Sequence, residues 1–175
     1  WLAPLPQGNP AKLLQAFIDR GGEVVFFPPR TPTSTAFAGV RWNGWVDEKA
    51  DPLVMDYEHD DLLANTQSGK ALPVGTLTVR RYCTLTGDAT TLAILKPGVR
   101  LLVRAPSNRG GIYFCATTTA PGDSSLASNG VVLYVLIHRA AAWGSESLRK
   151  IRALTAGEPS GENPASWQRK EGAEE

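Results

Sequence analysis

Residues 9–29, NPAKLLQAFIDRGGEVVFFPP, spell out a helix, its stop and a buried strand in one run. Asn9 offers a side-chain oxygen to cap a helix N-terminus, and Pro10 suits the first helical position, where no backbone donor is needed. Leu13, Leu14, Phe17 and Ile18 recur at helical spacing and predict one apolar face, with Lys12, Gln15 and Asp19 turned outward. Gly21 supplies a left-handed stop. Val24, Val25, Phe26 and Phe27 then form the unbroken apolar run expected of a strand buried on both faces of a parallel sheet. The stretch reads as half of an α/β unit, and no residue in it is an obvious catalyst.

On the N-terminal side, WLAPLP at residues 1–6 reads as a Pro-rich loop leaving an earlier element. The chain is therefore expected to be a fragment of a longer protein, with the first elements of its sheet ahead of Trp1. On the other side, residues 28–39, PPRTPTSTAFAG, read as a loop, because Pro28 and Pro29 stop the strand. Trp42 and Trp45 flank an Asn43-Gly44 turn signal. They read as aromatic cover for a sheet edge, or as a binding surface that stacks on sugars or anchors a partner.

The densest acidic stretch follows, with Asp47, Glu48, Asp51, Asp56, Glu58, Asp60 and Asp61 around His59. Hard cations take several oxygen ligands from a loop, which makes Asp56, Glu58 and Asp60 weak metal candidates. The spacing lacks the glycine and terminal glutamate of an EF-hand, so a solvated charged loop is the expectation. The same carboxylates, Asp56 with Glu58 or Asp60, supply an acid and base for a hydrolytic alternative.

Leu62 and Leu63 open a short segment ending in a Ser68-Gly69 turn, and residues 76–83, TLTVRRYC, predict a strand. Residues 90–118, TTLAILKPGVRLLVRAPSNRGGIYFCATT, predict a β-meander of three runs separated at 96–98 and 107–111. Pro97 and Gly98 fit a type II turn, and Gly110-Gly111 permits the positive φ of a hairpin loop. Arg100, Leu102 and Arg104 alternate with Leu101, Val103 and Ala105, which predicts a half-exposed middle strand. Arg100 and Arg104 are candidate binding-surface residues. Together with Arg80, Arg81 and Arg109 they form a basic strip of the kind that snorkels over a solvated face, without the interleaved aromatics of a nucleic-acid site.

Residues 123–143, DSSLASNGVVLYVLIHRAAAW, are long enough for a buried helix capped near Ser128 or Asn129. His138 is expected at its end rather than as a ligand. Leu148, Ile151 and Leu154 predict a further short amphipathic helix, and residues 156–175 a linker in which Trp167 hints at a strand. The expected division is a domain over 1–145 and a short helix with linker over 146–175.

The whole chain has 175 residues, is 42% hydrophobic, and carries 18 basic against 17 acidic residues for a net charge of +1. This suits one globular domain and creates no field drawing it to nucleic acid or an anionic membrane. No apolar run reaches the roughly 20 residues of a membrane span. Cys83 and Cys115 lack metal-ligand spacing; they read as two small buried hydrophobes, or as a pair if their strands are neighbours in an oxidising compartment. No cofactor is expected.

The combination of WLAPLP, a helix ending in IDRGG and then EVVFFPP resembles the glutamine-amidotransferase-like domain of bacterial aerotolerance-regulator-type membrane proteins. RRYCTL at 80–85, the meander at 92–117 and DSSLASNGVVLYVLIHR at 123–139 resemble its second half, so the likeness runs from about Trp1 to Trp143. It implies a class I amidotransferase-like, flavodoxin-type α/β sheet with an antiparallel meander and flanking helices. It also implies a place on the extracytoplasmic, periplasmic side of the membrane, with membrane contact only through segments outside this chain. Active members carry a nucleophilic Cys at the turn after such a strand and a later His-x-Glu pair. Here that strand runs into Pro28, Pro29 and Arg30, while His59 precedes Asp60-Asp61 and His138 precedes Arg139-Ala140. What the resemblance then implies is a non-catalytic relative, a pseudoenzyme whose partner is another protein or cell-envelope component. A carbohydrate-binding module using Trp42 and Trp45 is the other alternative.

Overall fold

The computed structural model describes residues 1–49, 51, 54–57, 59–96 and 98–152. Glu58, Pro97, Leu154, Trp167 and the 156–175 linker, on which sequence expectations fell, lie outside the described residues.

The opening helix, α1, spans Gly8–Asp19 with Gln7 as N-cap and no side-chain capping bond. Asn9 is therefore not the cap. It and Pro10 sit in the first turn, where backbone donors have no helical acceptor in any case. Only Ile18 is fully buried; Leu14 and Phe17 are half-buried and Leu13 is 72% exposed, so the apolar face is narrower than its spacing suggested. Gly21 takes φ +89° and ends the helix, its N–H bonding Ile18 O at 2.7 Å.

Strand β1, Val24–Phe26, follows and is buried throughout. The remaining strands are β2, Arg41–Asp47; β3, Val54–Tyr57; β4, Arg81–Thr86; β5, Thr90–Leu95; β6, Val99–Ala105; and β7, Ile112–Cys115. One sheet has the order β1-β7-β6-β5-β3, and β2 and β4 pair in a second. The architecture is mixed α/β: β1 and β7 are parallel, and every other pair is antiparallel. On its other edge β1 bonds Trp1, whose nitrogen donates to Val25 O (2.9 Å) and whose carbonyl accepts from Phe27 N (3.0 Å).

The meander expected over 90–118 is present as β5-β6-β7, but two details differ. Gly98 has φ +103°, and the turn closes by its N–H bonding Leu95 O, so Gly98 ends the turn rather than occupying its centre. Gly110 and Gly111 do not take left-handed φ. They are needed because a Cβ at Gly110 would collide with Gly22 O, and one at Gly111 with the Glu23 carboxylate. The middle strand is also less exposed than alternation implied, with Leu101, Leu102 and Val103 all buried. The second sheet lies over that face: Arg100 donates to Leu85 O (3.1 Å) and Gly87 O (3.2 Å).

The strand expected over 76–83 is shifted. Pro73–Thr76 form a 3-10 turn, Val79 makes a single bridge to Ser124, and the strand proper is β4. Asn43-Gly44 is a bulge within β2, where the register slips between Trp42 and Trp45. The two sheets join where Cys83 N–H bonds Ala116 O (2.6 Å) and Trp42 Nε1 bonds Cys115 O (2.9 Å). Phe26 stacks on Phe114 at 4.9 Å between ring centres, and Trp42 meets Phe114 edge-on at 5.3 Å, forming an aromatic centre.

Helix α2, Gly130–Arg152, is a single element that runs without a break through the boundary expected at 145. It is amphipathic rather than buried: Val132, Leu136 and Ala140 face the core, while Val131, Tyr134 and Ile137 are exposed. His138 stands in mid-helix, stacked on Tyr134. Among the described residues no helix is long and apolar enough to cross a membrane.

Candidate functional site

Both parallel strands are entered through a glycine pair, Gly21-Gly22 before β1 and Gly110-Gly111 before β7. With no side chains there, the strand starts approach closely, and Glu23 is held between them. Its carboxylate lies against Gly111, and α2 closes over it at Gly144, where a Cβ would come within 3.2 Å of Glu23 N and 3.3 Å of its Cγ. Glu23 Oε2 is buried and has no hydrogen-bond partner.

Three further side chains converge beside it. Arg104 on β6 stands opposite Tyr113 on β7, so the two share a face, and the guanidinium carbon is 5.9 Å from the tyrosine ring centre. Asp61, in the segment after β3, accepts from Tyr113 OH (3.0 Å), Arg104 Nη1 (3.1 Å) and Leu62 N (2.7 Å). The main chain beyond it is held from α2: Arg139 Nη1 donates to Leu62 O (2.8 Å) and Ala64 O (2.6 Å), and Nη2 to Asn65 O (2.8 Å).

Burial pushes the Glu23 carboxyl up from 4.5 to about 7, against the pull of Arg104 and of the Gly111 backbone N–H and with a further push from Asp61. Burial likewise raises the Tyr113 hydroxyl, with Asp61 and Glu23 adding to it. The arrangement is a carboxyl that changes charge near neutrality, beside a second carboxylate already engaged by a cation and a phenol. Such a group can hold or release a proton, which is what acid–base sites require of a carboxyl.

The sequence-chosen residues fall elsewhere, apart from Arg104. Asp56 on β3 is exposed and its carboxylate accepts from Tyr57 N (2.8 Å), Asp60 is exposed, and Glu58 lies outside the described residues. Among the described residues no three His, Cys, Asp or Glu side chains are placed to hold a metal ion. Trp42 is 2% exposed and presents no stacking surface, because its indole is the link between the sheets. Trp45 is half-buried: its Nε1 bonds Arg30 O (3.0 Å), and Arg81 covers its ring at 4.4 Å. The expected basic strip is dispersed by pairing, Arg80 with Asp51 (3.0 Å) and Arg81 with Asp47 (3.1 Å).

Cys83 and Cys115 are free and buried, and burial raises their thiols to about 12 and about 11. Cys115 lines an apolar cavity of about 20 Å³ with Leu63, Leu101, Leu126 and Val132, room for roughly one water. On the outside of α2, Leu133, Tyr134, Ile137, His138 and Ala141 line a shallow hollow of about 500 Å³.

Glu23 and Tyr113 were not picked out from sequence. The signal was there in the repeated Gly-Gly ahead of an apolar run, which marks two strand starts that pack against each other. Compared with known proteins, the chain matches no protein family, no curated protein and no solved structure.

Proposed function

We propose that this chain is a non-catalytic interaction or scaffold domain of a membrane-anchored bacterial protein, working on the extracytoplasmic side against another protein of the cell envelope. The observation that carries the reading is the outward face of α2, where Val131, Tyr134 and Ile137 stand exposed on a helix whose opposite face is fully committed to the core. Exposed aromatic and aliphatic side chains grouped in this way are the usual anchors of a protein contact. Two further observations support the absence of amidotransferase chemistry. The chain leaves β1 through Phe27 into Pro28 and Pro29, and both thiols are buried in their protonated form, which is not nucleophilic. The extracytoplasmic setting and the flavodoxin-type kinship rest on the resemblance of the motifs alone.

The test is site-specific photo-crosslinking in cells with the probe at position 134 and a control probe at exposed Asp88. A discrete adduct from 134 alone is expected, and the protein so identified should bind a Tyr134→Ser/Ile137→Ser variant at least about tenfold more weakly. An adduct from both positions or neither, or turnover of glutamine, would defeat the proposal. A hydrolytic reading has one observation in its favour, the Glu23–Asp61 pair rather than Asp56 with Glu58 or Asp60. It requires turnover of an ester or glycoside that Glu23→Gln abolishes in a folded protein.

A further inference from the structure

Glu23 and Tyr113 meet at Gly111, and Asp61 and Arg104 join them through the Tyr113 hydroxyl and the Asp61 carboxylate, but the four are not equally free to move. Glu23 is joined directly to β1, Arg104 belongs to β6 and Tyr113 to β7, all within one hydrogen-bonded sheet. Asp61 stands in the loop beyond β3, in a segment tied down by its own side chain and by Arg139. That segment carries Leu62 and Leu63, both fully buried. We propose that Glu23, Asp61, Arg104 and Tyr113 form a proton-controlled latch, closed while Glu23 is neutral and loosened when it ionises, whose moving part is the 61–65 segment.

The physical reason is a count of charges beside a buried carboxyl oxygen. With Glu23 neutral, one anion, Asp61, meets one cation, Arg104, and a phenol donor. With Glu23 ionised, two anions compete for the same guanidinium, and the Glu23 oxygen that lacks a donor becomes a buried, unpaired charge. The Gly111 backbone N–H eases the ionised carboxyl in part, but among the described residues no second cation does. The strand entries present Gly22 and Gly111, α2 presents Gly144 over Glu23, and Ser147 lies against Gly21, so none adds a charge. Arg139, the α2 cation nearest the segment, is occupied by three main-chain carbonyls. The strain is therefore released by moving Asp61 away, and the Glu23 value of about 7 places the change near neutral pH.

Because Arg139 joins the segment to α2, opening also disturbs the seat of that helix. Any effect on a partner bound at Tyr134 rests on the interaction reading; the latch itself does not.

The amides of Leu62 and Ala64 report the closed state, since the first donates to the Asp61 side chain and the second to the Asp61 carbonyl (2.8 Å). Hydrogen exchange at these two amides is measured from pH 6 to 8 in the intact chain and in Glu23→Gln. The unmodified protein should accelerate by about fivefold more than the variant across that range, what a one-unit difference in Glu23 pKa between closed and open forms supplies between pH 6 and 8. Equal profiles would overturn the latch. Should the variant not fold, direct NMR titration of the Glu23 carboxyl in the unmodified protein decides: a midpoint near 7 accompanied by shifts at Leu62 and Ala64 supports it, and an ordinary midpoint or silent amides ends it.

Discussion

Arg104–Asp61 and Arg80–Asp51 are the same pair of side-chain types at nearly the same distance, 3.1 and 3.0 Å. Their surroundings differ. The arginines are similarly open, 44% and 51% exposed, but Asp61 is 13% exposed and shares its oxygens with a tyrosine and a backbone amide, whereas Asp51 is 39% exposed. Near the surface, water competes for both charges and the pair adds little. In the seam between β1, β7 and α2, the same chemistry organises a loop and a neighbouring carboxyl. What separates the two regions is the backbone that admits the charge: Gly111 and Gly144 leave room for the Glu23 side chain where other residues would not.

The strongest way to break this contrast is to fill that room. Gly111→Ala places a methyl on the Glu23 carboxylate and the Tyr113 ring; it should cost about 3 kcal/mol or more, whereas Gly122→Ala, with nothing within 4 Å, should stay within about 0.5 kcal/mol. Urea midpoints of the two variants measure both. A comparable loss for each would mean that the seam is no tighter than a surface turn. Next in size is Asp61→Ala, which strands Tyr113 OH, Arg104 and Leu62 N–H together and should cost about 2–3 kcal/mol.

The third effect carries a sign that depends on pH. Glu23 holds its proton in the fold up to about 7 but loses it near 4.5 when unfolded. Between those values the folded state binds more protons, so the Glu23 contribution to stability is fully present below about 4.5 and is lost as pH rises through about 7. Glu23→Gln should therefore gain about 1–2 kcal/mol over the unmodified protein at pH 8, a fraction of the full shift because solvent reaches part of the group, and show no gain at pH 4.5. Thermal melts at the two pH values check this; a variant weaker at pH 8 would mean that ionised Glu23 is welcome in the seam. The smallest effect is Asp51→Ala, expected within about 0.5 kcal/mol and vanishing in high salt.

The local elements were legible where backbone preference and burial agree. Gly21 ended α1, the apolar run made β1, and the meander emerged as β5-β6-β7. The ambiguous stretch before Trp143 proved to be helical, but its exposed side was hidden in the sequence, because Val131, Tyr134 and Ile137 are as apolar as the residues facing the core. Trp42 and Trp45 show the opposite difficulty. Their spacing suggested a shared surface, and a bulge in β2 instead separates a buried indole from one covered by Arg81. The polar seam was the least legible. Its members come from positions 23, 61, 104 and 113, and only the pairing of β1 with β7 and of β7 with β6 brings them together. Asp61 looked like the last of a run of solvated acids, since nothing local distinguishes it from Asp60.

Trp42, finally, equips the molecule with an optical gauge. Its indole is enclosed, donates to the Cys115 carbonyl and abuts Phe114, whereas Trp1 and Trp143 lie open to solvent. Water-soluble quenchers should therefore extinguish the outer indoles first and leave a blue-shifted emission that reports on the junction between the sheets. Separation of β2–β4 from the larger sheet would be visible in that residual light without any label.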